Sequence, residues 1–198
     1  MIPKLLACIA AGYLIGSVSS AILLSRYICH RDVRSAGSGN AGAANAARVF
    51  GTAMGAATFL GDFLKGIVAM ALGKWLLGSI GLAAAGIACL LGHCFPVYFG
   101  FKGGKAVSTG AAVAFMIDWR LFILCMVVFL LAALLSHIAS VSSMLAAFAL
   151  AAGAFFFTQE SILRILAVFT FGLVVFMHRS NIARLMKGTE PKFQAGKR

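Results

Sequence analysis

The chain has 198 residues, of which 62% are hydrophobic and only 11% charged. Soluble domains are nearer half apolar and a quarter charged, so these proportions exclude a soluble globular protein. Seventeen Lys and Arg against five Asp and Glu give a net charge of +12, which in so apolar a chain points to cytoplasmic loops and anionic headgroups rather than to nucleic acid. The apolar residues come in long blocks, which favours helices, each satisfying its own backbone hydrogen bonds, over a β-barrel. The expected fold class is all-α: a polytopic membrane helix bundle filling 1–198 as one domain.

A membrane-crossing helix needs roughly 20 apolar residues. The first such stretch runs from Ile2 to Ser25 and is closed by Arg26, His30, Arg31, Asp32 and Arg34. It lacks a basic leader and a clear cleavage site, so it reads as a retained span. Small and polar residues follow, from Ser35 to Arg48. Gly37, Gly39 and Gly42 predict a turn, Asn40 is placed to cap the next helix, and Asn45 and Arg48 share a face of it. A second span over 53–73 carries Asp62 and Lys65, three apart and able to pair. Ionisable groups in a span are costly and face the bundle interior. The pair reads either as a structural ion pair or as support for an anion site.

The third span is Trp75 to His93. It leads into Gly92–Gly110, with Pro96, an aromatic cluster, Lys102, Gly103, Gly104 and Lys105. Glycines let backbone N–H groups turn inward around an anion, and the lysines add charge. His93, just before the aromatic-proline turn, reads as a hydrogen-bonded structural histidine. A short fourth span, Ala106 to Ile117, ends at the polar turn Asp118-Trp119-Arg120. The fifth is Leu121 to Ser136, the sixth Ile138 to Phe157 and the seventh Ile162 to Met177. A basic segment, His178 to Glu190, and a short basic tail follow.

About seven spans put the termini on opposite sides. Arg26, Arg31, Arg34, Arg48, Lys102, Lys105, Arg179, Arg184, Lys187, Lys192, Lys197 and Arg198 then share one side, against Lys4, Lys74, Arg120 and Arg164 on the other. The richer side is the cytoplasm, so the N-terminus is expected outside and the C-terminus inside. The three polar segments, 35–48, 92–110 and 178–190, all fall on the cytoplasmic face.

Familiar catalytic sets are missing. No histidine has an aspartate five positions later, and there is no G-x-S-x-G elbow or Walker A loop. The five cysteines form no CxxC pair and suggest neither a disulfide framework nor a metal site. What remains is a set of anion receptors and hydrogen-bond donors: Ser38, Asn40, Asn45, Arg48, Lys102, Lys105, His178, Arg179 and Asn181. Lys102 and Arg179 read equally well as headgroup anchors. Such a set suits an enzyme of phosphate-bearing molecules or an organic-phosphate transporter. Transport needs a polar path through both leaflets, and the outer half holds few polar groups besides Lys74, Arg120, Gln159 and Arg164.

Three ordered motifs carry a resemblance. They are Ser38-Gly-Asn-x-Gly-x-x-Asn45-x-x-Arg48, then Gly92-His-x-Phe-Pro-x-x-x-x-Phe101-Lys-Gly-Gly-Lys105, then His178-Arg-x-Asn181-Ile-x-Arg184-Leu-x-x-Gly-x-Glu190. With Asp62-x-x-Lys65-Gly66, and over essentially the whole chain, they resemble the bacterial acyl-phosphate-dependent glycerol-3-phosphate acyltransferases. The resemblance implies transfer of a fatty acyl group from acyl phosphate to the 1-hydroxyl of sn-glycerol 3-phosphate, without a cofactor. It implies a monomer in the bacterial plasma (inner) membrane, with its site on the cytoplasmic face. By the same resemblance Ser38, Arg48, Lys105, His178 and Asn181 form the catalytic set. Asn40, Asn45, Lys102, Gly103, Gly104 and Arg179 assist substrate binding, while Asp62, Lys65, His93 and Glu190 brace the site. The proton acceptor is left between His178 and the phosphate of the donor. The chain departs from the family at Ala41 and Ala44, where proline and threonine are common, and at Ala106 and Ser108, where glycine and alanine are.

Overall fold

The computed structural model describes residues 1–192, so Lys197 and Arg198, expected on the cytoplasmic side, lie outside the described residues. The described elements are helical. Helix α1, Ile2–Ser17, starts with Pro3 in its first turn, where a missing N–H costs nothing. Helix α2, Ser20–Cys29, is capped by Ser19, whose Oγ accepts from the Ile22 amide at 3.4 Å. The expected first span is therefore broken: Val18 and Ser19 are extended between two helices. This break leaves the Val18 carbonyl free to accept from Lys65 Nζ at 2.5 Å.

Helix α3 is Ala43–Phe50 and helix α4 is Thr52–Cys94. A straight α4 of 43 residues would measure about 65 Å, twice the ~30 Å hydrocarbon core. It is instead a hairpin. Leu77 and Gly78 leave helical geometry, Gly78 at φ 59°, a left-handed value that glycine tolerates. Beyond this turn Gly81 returns against Gly73, so close that a Cβ on Gly73 would sit 2.7 Å from the Gly81 carbonyl carbon. The two arms are the second and third spans read from the sequence. Small residues seat α1 on the returning arm: Cβ atoms on Gly12 and Gly16 would meet the Cα atoms of Ala85 and Cys89 at 2.9 and 2.7 Å. Such close helix approach is typical of membrane packing.

The remaining helices are α5, Val107–Ile117; α6, Trp119–Ser136; α7, Ala139–Phe157; α8, Ser161–Met177; and α9, Arg179–Met186. Asp118 caps α6, accepting from the Arg120 amide at 2.8 Å. Met70, Leu82, Leu90, Val113, Leu121, Leu166 and Val174 form the shared core. Leu130, Leu131, Leu134 and Leu135 of α6 stay exposed, as expected of a face against lipid.

The seven-span expectation is met in part. Four helical stretches are long and apolar enough to cross, the α4 hairpin counting as one of them. A fifth is the pair α8–α9, bent by 56°. Helix α5 has 11 residues, about 16 Å, roughly half the depth of the hydrocarbon core.

Candidate active site

Three polar segments meet at one end of the bundle. The first is organised by Asn45. Its amide is buried, with Oδ1 accepting from the Ser38 amide at 2.8 Å and Nδ2 donating to the carbonyls of Val33, Ala36 and Asn40 at 3.0–3.1 Å. With donors and acceptor spent on the loop, Asn45 is placed to shape it rather than to bind substrate. Asn40 does not cap α3, whose N-cap is Gly42. It reaches instead to the Gly103 carbonyl at 3.4 Å, beside the Ala41 amide on the same oxygen. Arg34, counted from the sequence only among the cations of the cytoplasmic side, ties the first segment to the second. It forks onto Asp32 at 2.9–3.1 Å and donates to the carbonyls of Phe99 and Lys102 at 2.8 and 3.3 Å. Through that fork, against a smaller opposing effect of burial, Arg34 holds the Asp32 carboxyl well below the usual carboxylate range.

The second segment corrects the expected cradle. The Gly103 and Gly104 amides do not turn towards an anion. They donate back to the carbonyls of Cys94 and His93 at 3.2 and 3.0 Å, closing the end of α4. Among the amides left without an acceptor in the described residues are those of Lys105, Ala106 and the first turn of α5. A helix N-terminus of this kind presents N–H groups and a positive dipole end to an anion. Ala106, the α5 N-cap, is fully buried and left-handed at φ 60°, where a glycine would be unstrained.

Lys105 is the centre of the site. Its Nζ donates to Asn181 Oδ1, on α9. Asn181 Nδ2 donates to Glu190 Oε1 at 2.5 Å, and Glu190 also accepts from Ser140 at 2.7 Å and from Arg184 Nε at 2.7 Å. Burial tends to raise the Glu190 pKa, but the hydrogen bonds from Asn181, Ser140 and Arg184 outweigh it and hold it low. Burial pushes the Lys105 ammonium down to about 8, helped by the positive charges of Arg184, Arg48 and Arg179 and opposed by Glu190. The three arginines from two further segments are thus close enough to act on Lys105. His178 is buried, with Nδ1–H donating to the Val174 carbonyl at 2.8 Å, which leaves Nε2 as the acceptor.

Other expected residues sit further out. Ser38 and Arg48 are exposed, and their side chains have no partner among the described residues. Arg179 lies over the Phe176 ring at 4.6 Å. Lys102 is exposed and lines a shallow polar depression with Asp32, Arg34, Ser35 and Gly39, apart from the Lys105 group. Ser140 and Arg184 were missed. Arg184 stands in the third motif and could have been included, whereas Ser140 carries no local signal.

Beneath the glycine loop the expected Asp62–Lys65 pair forms at 2.8 Å, both side chains buried. Lys65 Nζ also lies 3.1 Å from His93 Nδ1. The His93 ring fills the space beside Gly104: a Cβ there would lie 2.6 Å from Cε1 and closer still to Nε2. Gly104→Ala is therefore expected to cost about 1–3 kcal/mol by overpacking and to displace Lys105. Thermal unfolding and the rate of the Gly104→Ala variant check this, and a variant with wild-type values in both refutes it.

The glycerol-3-phosphate acyltransferase family model matches residues 6–188. The chain belongs to this family. It is 37% identical over 190 residues to a glycerol-3-phosphate acyltransferase of Lactiplantibacillus plantarum, covering 94% of this chain and 91% of that one. It is also similar to PlsY (YgiH), an integral membrane glycerol 3-phosphate acyltransferase solved in two forms. The glycerol 3-phosphate form has a TM-score of 0.90 at 32% identity, with 96% of each chain covered. The lysophosphatidic acid form has a TM-score of 0.88 at 30% identity, covering 96% of this chain and 95% of that one. Family membership sets the transporter reading aside.

Proposed function

We propose that the protein transfers a fatty acyl group from acyl phosphate to the 1-hydroxyl of sn-glycerol 3-phosphate. The products are 1-acylglycerol 3-phosphate (lysophosphatidic acid) and inorganic phosphate. The observation that carries this reading is the Lys105–Asn181–Glu190 line, with Arg48, Arg179 and Arg184 close enough to bear on Lys105. One cluster of cations suits two phosphate-bearing substrates, and the named forms of the solved relative fit the acceptor and the product.

Acyl phosphate is an activated mixed anhydride and needs no enzyme nucleophile. The Ser38 hydroxyl is exposed and accepts or donates no hydrogen bond among the described residues, its amide alone being held by Asn45, which suits phosphate binding better than attack. The glycerol oxygen adds to the acyl carbonyl carbon, and the bond from that carbon to the phosphate oxygen breaks with its electrons on phosphate. The hydroxyl proton passes to the departing phosphate or to His178 Nε2. Lys105, the first-turn amides of α5 and the arginines align the phosphates and stabilise developing negative charge. Gly103 and Gly104 shape the acyl-phosphate side, Asn45 and Glu190 hold the loops in place, and Asn40 and Lys102 flank the site. The protein is a single-domain monomer in the bacterial plasma membrane. It makes seven passages, counting both arms of α4 and the half-length α5, with its N-terminus outside and its site cytoplasmic.

Purified protein in detergent, given acyl phosphate and glycerol 3-phosphate, should release phosphate with formation of the acylated product. No release refutes the reading, and an acyl group trapped on Ser38 refutes direct transfer. Arg48→Ala should insert normally and lose activity by about 100-fold, the scale of one lost transition-state donor. Near-normal turnover would remove Arg48 from the phosphate set.

A further inference from the structure

The buried charges of α4 do more than pair. Lys65 carries three ammonium protons and has three acceptors: Asp62 Oδ1 at 2.8 Å, the Val18 carbonyl at 2.5 Å and His93 Nδ1 at 3.1 Å. Asp62 Oδ1 also lies 3.4 Å from the Ser20 amide, so the break between α1 and α2 is held at both its edges. An ammonium can only donate. His93 Nδ1 must then accept, and the neutral imidazole carries its proton on Nε2. That edge of the ring faces Gly104, in the space where any side chain there would collide. The same residue holds the loop a second time, its carbonyl accepting from the Gly104 amide at 3.0 Å. Lys105 is the next residue.

We propose that Asp62, Lys65 and His93 form a positioning line that sets the place of Lys105, by locking His93 in its Nε2–H tautomer against Gly104. The line rests on the reading of Lys105 as a phosphate-holding group. A purely structural ion pair would end at Asp62 and Lys65. A buried pair is also replaceable by apolar residues at little cost in stability. The extension through His93 to the loop is what ties the pair to substrate binding.

The tautomer is read directly by 15N NMR of histidine-labelled wild-type protein in micelles, with the His93 signals assigned by their loss in His93→Asn. The expected result is an Nε2–H ring, and an Nδ1–H or mixed ring overturns the proposal. This arm needs no activity, so it stands whether or not the acyltransferase reading holds. The second arm is kinetic. Asp62→Asn/Lys65→Met removes both charges together and frees the ring, while His93→Asn keeps an acceptor for Lys65 but removes the edge that meets Gly104. Each should raise KM for the phosphate-bearing substrates about tenfold, as a sub-ångström displacement of Lys105, which aligns their phosphates, predicts. A merely structural role would lower the folded fraction and the apparent kcat and leave both KM values alone, and that result overturns the proposal. Wild-type protein that releases no phosphate refutes the functional reading instead, and the NMR arm still decides the tautomer.

Discussion

Replacing Asn181 with alanine is expected to lower kcat/KM by about 100- to 1,000-fold, the range for losing a group that positions a catalytic cation and its hydrogen bonds. The amide of Asn181 joins two charges of opposite sign. Oδ1 accepts from Lys105 and Nδ2 donates to Glu190 at 2.5 Å. Without it Lys105 has no side-chain partner among the described residues to aim its ammonium. The C-terminal segment should nevertheless stay in place, because Glu190 keeps Ser140 at 2.7 Å and Arg184 at 2.7 Å. Two hydrogen bonds to charged groups are lost, each worth about 1.5–3 kcal/mol, so some loss of stability accompanies the loss of rate. Phosphate release and thermal unfolding measured on the same preparation separate the two effects. Turnover within threefold of wild type refutes the role. A collapse of the unfolding temperature shows that the amide is a strut of the fold instead.

Lys105 should give the reaction a limb on the alkaline side. Burial lowers its pKa from 10.5 to about 8, with Arg184, Arg48 and Arg179 adding to the effect against Glu190. The charged form holds phosphate. Activity is therefore expected to be flat below the folded pKa, and kcat/KM to fall about tenfold per pH unit above it, since that ratio reports the free enzyme. Stability should move the other way. Between about 8 and 10.5 the unfolded chain keeps this proton and the folded chain does not, so this group's contribution grows as pH rises through that window. Activity lost there without loss of folding separates titration from denaturation. Lys105→Met should lose at least about 100-fold at every pH and lack the limb, while Lys105→Arg should move the limb out of range. A wild-type profile still level at pH 9.5 refutes the assignment.

Much of this arrangement was legible before any coordinates. The paired spacing of Asp62 and Lys65 foretold their contact, because residues three apart on a helix are neighbours. The three motifs named the segments that the fold brings together at one end of the bundle, and Glu190 joins them through Asn181. The glycine loop was misread. Glycine permits many directions for an amide, and only the arriving end of α4 decides that Gly103 and Gly104 donate to Cys94 and His93. Asn45 and Asn40 were likewise visible as polar residues but not as a loop organiser and a bridge to Gly103. Ser140 was invisible, as one serine among several in an apolar helix.

The sequence by itself determined the class of the protein, because burying so apolar a chain requires lipid and because local spacing suffices to pair i and i+3 on a helix. It also determined the chemistry available, through the cations and amides of three segments. Only the tertiary structure decided who meets whom. The turn at Leu77–Gly78 brings His93 back to Lys65, 28 residues away along the chain. The break at Val18 frees the carbonyl that completes the Lys65 shell. Packing α9, the segment after it and α7 around the loop delivers Asn181 to Lys105, and Glu190 and Ser140 behind it. Contacts of that kind depend on the reversal of whole helices, and no local pattern of residues encodes their distances.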